Sequence, residues 1–220
     1  ETHYRETLAM RRELQGEEHI SVASDLNNLA LCLLDKGDAD AAVPMFRQAL
    51  AIHRARLGNE HPFVAADLNN LGMVFMRQGD YAAAEPLFRE ALDMDRKRLG
   101  DEHTAVATGI NNLAAFLYAK GDYKSAEPLA RETLALRQKL LGEEHPEIAE
   151  SQSNLASILC ALGEYDKAES LFHQALEQYR KSLLPEHPDV ANTMNKLARL
   201  LMEKGDYAQA EPLACEAVRL

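Results

Sequence analysis

The sequence predicts an all-α fold, a solenoid of antiparallel helix pairs, on three markers that share one period. Gly-Asp or Gly-Glu recurs at Gly37-Asp38, Gly79-Asp80, Gly121-Asp122, Gly163-Glu164 and Gly205-Asp206, 42 residues apart each time. Glu-His recurs in the same phase at Glu18-His19, Glu60-His61, Glu102-His103, Glu144-His145 and Glu186-His187. Between them Leu-Ala or Leu-Gly returns at Leu29-Ala30, Leu71-Gly72, Leu113-Ala114, Leu155-Ala156 and Leu197-Ala198. Independent markers held in one register define a repeat.

Each repeat reads as two helices. Helix A begins after the histidine, and Pro62, Pro146 and Pro188 suit a first helical position, where no N–H is missed. Its apolar residues fall at i, i+3, i+4 and i+7, as in Leu26, Leu29, Ala30, Leu33 and in Leu68, Leu71, Gly72, Phe75. The following glycine ends it by taking a left-handed conformation cheaply. The next Asp or Glu is placed to cap helix B, its carboxylate facing free N–H groups and the positive dipole end. Helix B carries a small-large-small face, Ala42, Phe46, Ala49 or Ala84, Phe88, Ala91, and stops at Gly58, Gly100 or Gly142. Arg54, Arg56, Arg96, Lys97 and Arg98 crowd the last turns, where the dipole favours cations. Pro44, Pro86, Pro128 and Pro212 sit about two turns into helix B and are expected to bend it slightly.

The phase divides the chain into a lone helix B over 1–16, four full repeats over 17–58, 59–100, 101–142 and 143–184, and a fifth, shortened repeat over 185–220. No Pro/Gly/Ser-rich linker interrupts a single array. Neither end resembles the polar capping unit that closes a natural solenoid, so the chain reads as a segment of a longer repeat protein, open to self-association through its ends.

Composition narrows the function. With 24 Lys and Arg against 35 Asp and Glu, the net charge of −11 has the wrong sign for gripping nucleic acid or an anionic membrane. No apolar run reaches the ~18 residues of a membrane span, and the first residues lack the apolar h-region of a signal peptide. The three cysteines, Cys32, Cys160 and Cys215, cannot all pair and lack metal-ligand spacing, which points to a reduced, cytoplasmic setting.

Leu71, Gly72, Phe75, Tyr81, Ala84, Phe88 and Ala91, and again Leu155, Ala156, Leu159, Tyr165, Ala168, Phe172 and Ala175, resemble the tetratricopeptide repeat. The 42-residue period narrows the likeness, as do Leu-Asn-Asn-Leu (Leu26 to Leu29, Leu68 to Leu71), Ala-Glu-Pro-Leu (Ala84 to Leu87, Ala126 to Leu129, Ala210 to Leu213) and Leu-Gly-x-Glu-His-Pro (Leu57 to Pro62, Leu141 to Pro146). Together they look like the kinesin-light-chain type. The resemblance covers the whole chain and implies a right-handed α–α superhelix with a concave groove. The chain departs from the pattern at Ile20 and Thr104, where proline is expected, at Leu184-Pro185, which replaces the second glycine, at Gln152 in a core leucine position, and at Lys196 in place of an asparagine.

No catalytic constellation is present: no phosphate-binding glycine loop, nucleophile elbow or Cys-His arrangement. The reading is a non-enzyme without cofactors. The five periodic histidines sit one repeat apart, ~10 Å at normal helix packing, too far to share a metal, and suit helix starts instead. Cys32 and Cys160 lie among apolar neighbours as packing residues.

The asparagines are the sharper signal. Asn27-Asn28, Asn69-Asn70, Asn111-Asn112, Ser153-Asn154 and Asn195-Lys196 occupy the same two places in helix A, although asparagine is a mediocre helix former. They lie off the core stripe, on the side that the resemblance places on the groove. Either these amides tie successive helices together, the second place more than the first, or they form a ladder that pairs with a peptide backbone, since carboxamides both donate and accept. An extended peptide rises ~3.3 Å per residue and would meet rungs ~10 Å apart about every third residue. Around the ladder lie Leu31, Met73, Met76, Ala115 and Tyr118 as an apolar strip, with three acids, Asp35, Glu150 and Glu203, balanced by three bases, Arg77, Lys196 and Arg199. The expected function is a protein-binding module that holds a linear segment of a partner, of unknown sequence, in this groove. The alternative is a structural or self-associating scaffold.

Overall fold

The computed structural model describes residues 1–182 and 187–219; the Leu184-Pro185 departure and Glu186 lie outside them. Among the described residues there are eleven helices and no strand. The first compact unit, Glu1–Asp101, holds α1 (Thr2–Gln15), α2 (Ile20–Asp35), α3 (Ala39–Leu57), α4 (Pro62–Arg77) and α5 (Tyr81–Leu99). The second, Glu102–Leu220, holds α6 (Thr104–Lys120), α7 (Tyr123–Leu141), α8 (Pro146–Ala161), α9 (Tyr165–Ser182), α10 (Pro188–Lys204) and α11 (Tyr207–Arg219). Helices joined by the two- or three-residue turns pack as hairpins: α2 on α3, α4 on α5, α6 on α7, α8 on α9 and α10 on α11.

The punctuation follows local chemistry. Every periodic histidine caps a helix A: Nδ1 of His19, His61, His103, His145 and His187 accepts the backbone N–H two residues on, at 3.1 to 3.3 Å. This cap does not need proline, so α2 and α6 start at Ile20 and Thr104 as cleanly as the others. The turn glycine is left-handed, Gly121 at φ 86° being one case. Asp38, Asp80, Asp122 and Asp206 then accept from the N–H three residues on. Glu164, one methylene longer, instead pairs with Lys167 at 2.6 Å.

The apolar stripes meet as predicted. In the first unit one core runs from Leu8 through Leu26, Leu29, Phe46 and Leu68 to Ala91. Small residues let the helices close: a Cβ on Gly72 would stand 3.1 Å from the Phe88 ring.

A second, polar seam joins one repeat to the next. It links a helix B residue to the helix A residue fourteen positions on. Arg11 Nε meets Asp25 Oδ2 at 3.1 Å, His53 Nδ1 meets Asp67 Oδ2 at 2.6 Å, and Arg137 Nη1 donates to Ser151 Oγ at 2.8 Å. Asp67 also accepts from Asn27 Nδ2 at 2.5 Å, so three helices, α2, α3 and α4, converge on one fully buried carboxylate. Burial pushes that carboxyl above its ordinary value, while the Asn27 and His53 bonds hold it back. Outside, exposed pairs hold the loop glutamates of one register: Lys97 with Glu60, and Lys139 with Glu102 at 2.5 Å, from one place of helix B, and Arg56 with Glu18 at 2.9 Å from the next place. Such pairs contribute little individually.

Two outcomes are expected. His145→Ala removes a cap and lowers stability by about 0.5–2 kcal/mol in a denaturant melt, whereas His145→Asn, which retains a capping oxygen, recovers most of it. Asn27→Ala removes a donor to the buried Asp67. The folded carboxyl binds its proton more tightly than the unfolded one, so its contribution is complete below its ordinary value of 3.8 and falls as pH rises through the raised folded value. Asn27 stabilises the ionised form that dominates above that window. The variant therefore loses about 1.5–3 kcal/mol at neutral pH and clearly less in strong acid. Chemical melts across the pH range measure the difference, and an equal loss throughout would contradict it.

Candidate functional site

The faces of helix A turned away from the core differ between the two units. In the first, Asn27 is committed to Asp67, Asn28 is exposed, and Asn69, Asn70, Leu31 and Met73 are partly buried. Asn69 Oδ1 is buried without a hydrogen-bond partner. Arg77 is exposed and its guanidinium donates to the Leu34 carbonyl at 3.5 Å. The seam thus uses the first asparagine of the pair at 27, where the sequence favours the second for a stacking role. The reason is reach: the residue one place earlier points along the stripe that meets Asp67.

In the second unit α6, α8 and α10 line an open cavity of about 450 Å³. Seven expected site residues line it: Asn111, Ala115, Tyr118, Asn154, Asn195, Lys196 and Arg199. Asn112 is not among them. Asn154 Nδ2 donates to Asn111 Oδ1 at 3.2 Å, so two rungs of the amide row are already bonded to each other. Each keeps further donor or acceptor capacity, because a carboxamide offers two N–H groups and two lone pairs. The remaining lining residues are Ala114, Ser157, Ile158 and Asn192. Ser157 and Asn192 were within reach of the period. They stand in the registers of Leu31 and Ser24, but a serine breaks the apolar strip and Asn192 lies outside the paired motif. Ala114, of the core stripe, and Ile158, buried beside it, form the floor.

The cavity has one charged end. Lys196 Nζ lies 3.4 Å from Ser153 Oγ. Burial lowers its ammonium below the ordinary lysine range, and Arg199 adds repulsion. Neither cation makes an ion pair within 4.0 Å among the described residues. The nearby acid Glu150 is engaged by Arg137 at 2.9 Å. Cys160, in the same unit, has its thiol pushed up to about 11, chiefly by burial, which keeps it protonated and poorly nucleophilic at neutral pH. No group of three His, Cys, Asp or Glu side chains is arranged to hold a metal among the described residues. No described helix is long and apolar enough to cross a membrane. The cavity offers hydrogen bonds, a cationic end and an aliphatic floor, which is the equipment of recognition.

The tetratricopeptide repeat family model matches residues 1–55, 26–97, 63–139, 103–156 and 147–220, so its matches run through the whole chain. No curated protein sequence gave a match. Among solved structures, the nearly identical TPR-like repeats of a kinesin light chain from Podosopora anserina are similar at 27% identity and a TM-score of 0.73, covering 91% of this chain and 95% of that one. A single-substitution variant of those repeats is similar at 28% identity and 0.74, with the same coverage. BtubC (BKLC) from P. vanneervenii, at 22% identity, shares the fold with a TM-score of 0.78 over 99% of this chain and 87% of its own. With helix pairs, capping and small-residue contacts all following that pattern, the chain belongs to the tetratricopeptide repeat family, whose members are generally protein-interaction scaffolds.

Proposed function

We propose that the chain is a non-catalytic binding module that holds an extended segment of a partner protein against the second faces of its A helices, with the α6–α8–α10 cavity as the principal site. One observation carries this reading: carboxamides at Asn111, Asn154, Asn192 and Asn195 converge with Tyr118 and an aliphatic floor on one open cavity of about 450 Å³. Amides meet a peptide's own N–H and C=O groups whatever its sequence, while Ala115, Tyr118, Lys196 and Arg199 select its side chains. Three free cysteines are in keeping with work in a reducing, cytoplasmic compartment. In the first unit the commitment of Asn27 to Asp67 favours the second reading, a structural one, for that stretch of the asparagine row. Asn28, Asn69, Asn70, Met73 and Arg77 are the expected site residues of the first unit that lie outside that cavity.

The test is the double variant Asn111→Ala, Asn195→Ala, measured against a peptide selected from a library on the unaltered protein. Two lost amide contacts at ~0.5–1.5 kcal/mol each weaken binding about ten-fold or more. The melting temperature moves little, because alanine is the better helix former and offsets the lost Asn154–Asn111 bond. Full affinity together with a lower melting temperature would assign these asparagines to the stack and overturn the reading.

A further inference from the structure

We propose that a second cavity, at the edge formed by α8, α9 and the loop before α8, is a receptor site for a guanidinium group. It is separate from the groove: it measures about 260 Å³ and shares none of the groove's lining residues.

The starting point is Gln152. In the 42-residue register its counterparts are Leu26, Leu68, Ile110 and Met194, all at most 1% exposed. An apolar side chain is what this position needs for packing. Gln152 is nevertheless 94% buried, at 6% exposure, and lines the cavity. Its Oε1 has no hydrogen-bond partner, and its Nε2 reaches only Gln174 Oε1, at 3.5 Å. A buried acceptor left dry destabilises the fold unless something supplies a donor.

Charge points the same way. In two earlier repeats the loop glutamate is taken by a lysine near the end of helix B, Lys97 with Glu60 and Lys139 with Glu102. Lys181 is the lysine in the register of Lys139, yet it bonds to Glu177 of its own helix at 2.7 Å. Glu143 and Glu144, which line the cavity, are left without an ion pair within 4.0 Å among the described residues. Gln178 fixes the loop that carries them, donating to the carbonyls of Glu143 and His145. The cavity therefore presents three carboxylates, Glu143, Glu144 and Glu177, against one ammonium, Lys181, which Glu177 binds and Glu144 faces electrostatically, beside the unpaired amide oxygen of Gln152.

A planar cation with several N–H donors matches that set. A guanidinium has five donors in a fixed fork, able to address a carboxylate and the amide oxygen together. An ammonium concentrates its donors at one point, and a neutral urea lacks the charge. The guanidinium can come from an arginine side chain of a partner protein or from a free guanidinium compound.

The experiment titrates the whole chain, ¹⁵N-labelled, with N-acetyl-arginine amide for a chain-borne side chain, methylguanidinium for a free compound, and N-acetyl-citrulline amide as the neutral isostere. Saturable shifts of the Gln152 side-chain amide with the capped arginine, at least ten-fold weaker with citrulline, are expected. Gln152→Leu abolishes the binding while raising the melting temperature, since leucine fills the same register elsewhere. Glu144→Gln weakens binding about ten-fold in a protein that stays folded. The groove variant Asn111→Ala, Asn195→Ala leaves it unchanged, so failure here and failure of the groove reading are distinguishable. Binding of methylguanidinium with exclusion of the capped arginine would assign the site to a free compound. No saturable shift with either cation, equal response to citrulline, or shifts that survive Gln152→Leu would overturn the site.

Discussion

How close the two helices of a hairpin can come governs the rest of the architecture. A pair of short helices buries too little surface to be stable apart from its neighbours, so each must pack tightly on its partner and then on the next pair. Tight approach requires small residues at fixed places. Ala42, Ala84, Ala126 and Ala168 are completely buried at the same point of helix B, as are Ala49, Ala91 and Ala175 one and a half to two turns later. Gly72 goes one step further, because the Phe88 ring occupies the space its Cβ would need. Where the small position becomes Thr133, the hydroxyl donates to the Leu129 carbonyl at 3.0 Å and leaves no unsatisfied group in the contact.

That contact fixes the spacing of whole repeats and so creates the polar seam. Once helix B of one repeat and helix A of the next are held at a set distance, residues fourteen apart face each other across the contact, buried at His53, Asp67, Arg137 and Ser151 and part-exposed at Arg11. The slot accepts Arg11 with Asp25, His53 with Asp67 or Arg137 with Ser151, provided that donor meets acceptor. Asp95, in the same register, turns to Arg98 of its own helix at 3.0 Å. A buried carboxylate such as Asp67 is tolerable because two donors converge on it; with one removed, the desolvation of the charge would no longer be offset. The seam therefore adds register more than it adds stability.

The helices, their caps and the apolar stripes were legible because they rest on local chemistry repeated five times. A left-handed glycine, an Asp cap and a leucine at i+3 announce themselves in one sequence window. The seam was not legible, because its members change identity at every occurrence: a histidine facing an aspartate and an arginine facing a serine share no letter, only complementarity. The asparagine row was half legible. The period marked Asn27 and Asn111 alike, yet one is spent on Asp67 and the other opens on a cavity. What separates them is the partner in the next repeat, Asp67 in one case and Asn154 in the other, and that depends on packing across 40 or more residues. Gln152 was visible as a departure, but only its surroundings show that no protein donor reaches its oxygen.

The division of labour within a repeat arises from these constraints. Positions that set helix approach stay small, Thr133 being the largest substitute among Ala49, Ala91 and Ala175, so wider variation falls on the face they leave free. The register that holds Leu31 passes through Met73, Ala115 and Ser157 to Arg199, from aliphatic to cationic, with no disturbance of the helices that carry it. Beside it the amide at the first asparagine place is kept in four of five repeats and becomes Ser153 in the other. On the proposed reading, a row of near-constant hydrogen-bonding groups next to a row of changing side chains separates two tasks: the first engages the common chemistry of an extended chain, the second chooses among chains. In the second unit the choice acquires a sign. The charged residues that line the α6–α8–α10 cavity are Lys196 and Arg199, in a protein whose net charge is −11. The repulsion that a strongly acidic surface offers to acidic segments is thereby relieved at one place, and ionic strength sets how far that relief extends, since the screening length is ~8 Å at physiological salt. On the proposed reading, selection at this cavity rests on two cationic side chains set within an acidic whole.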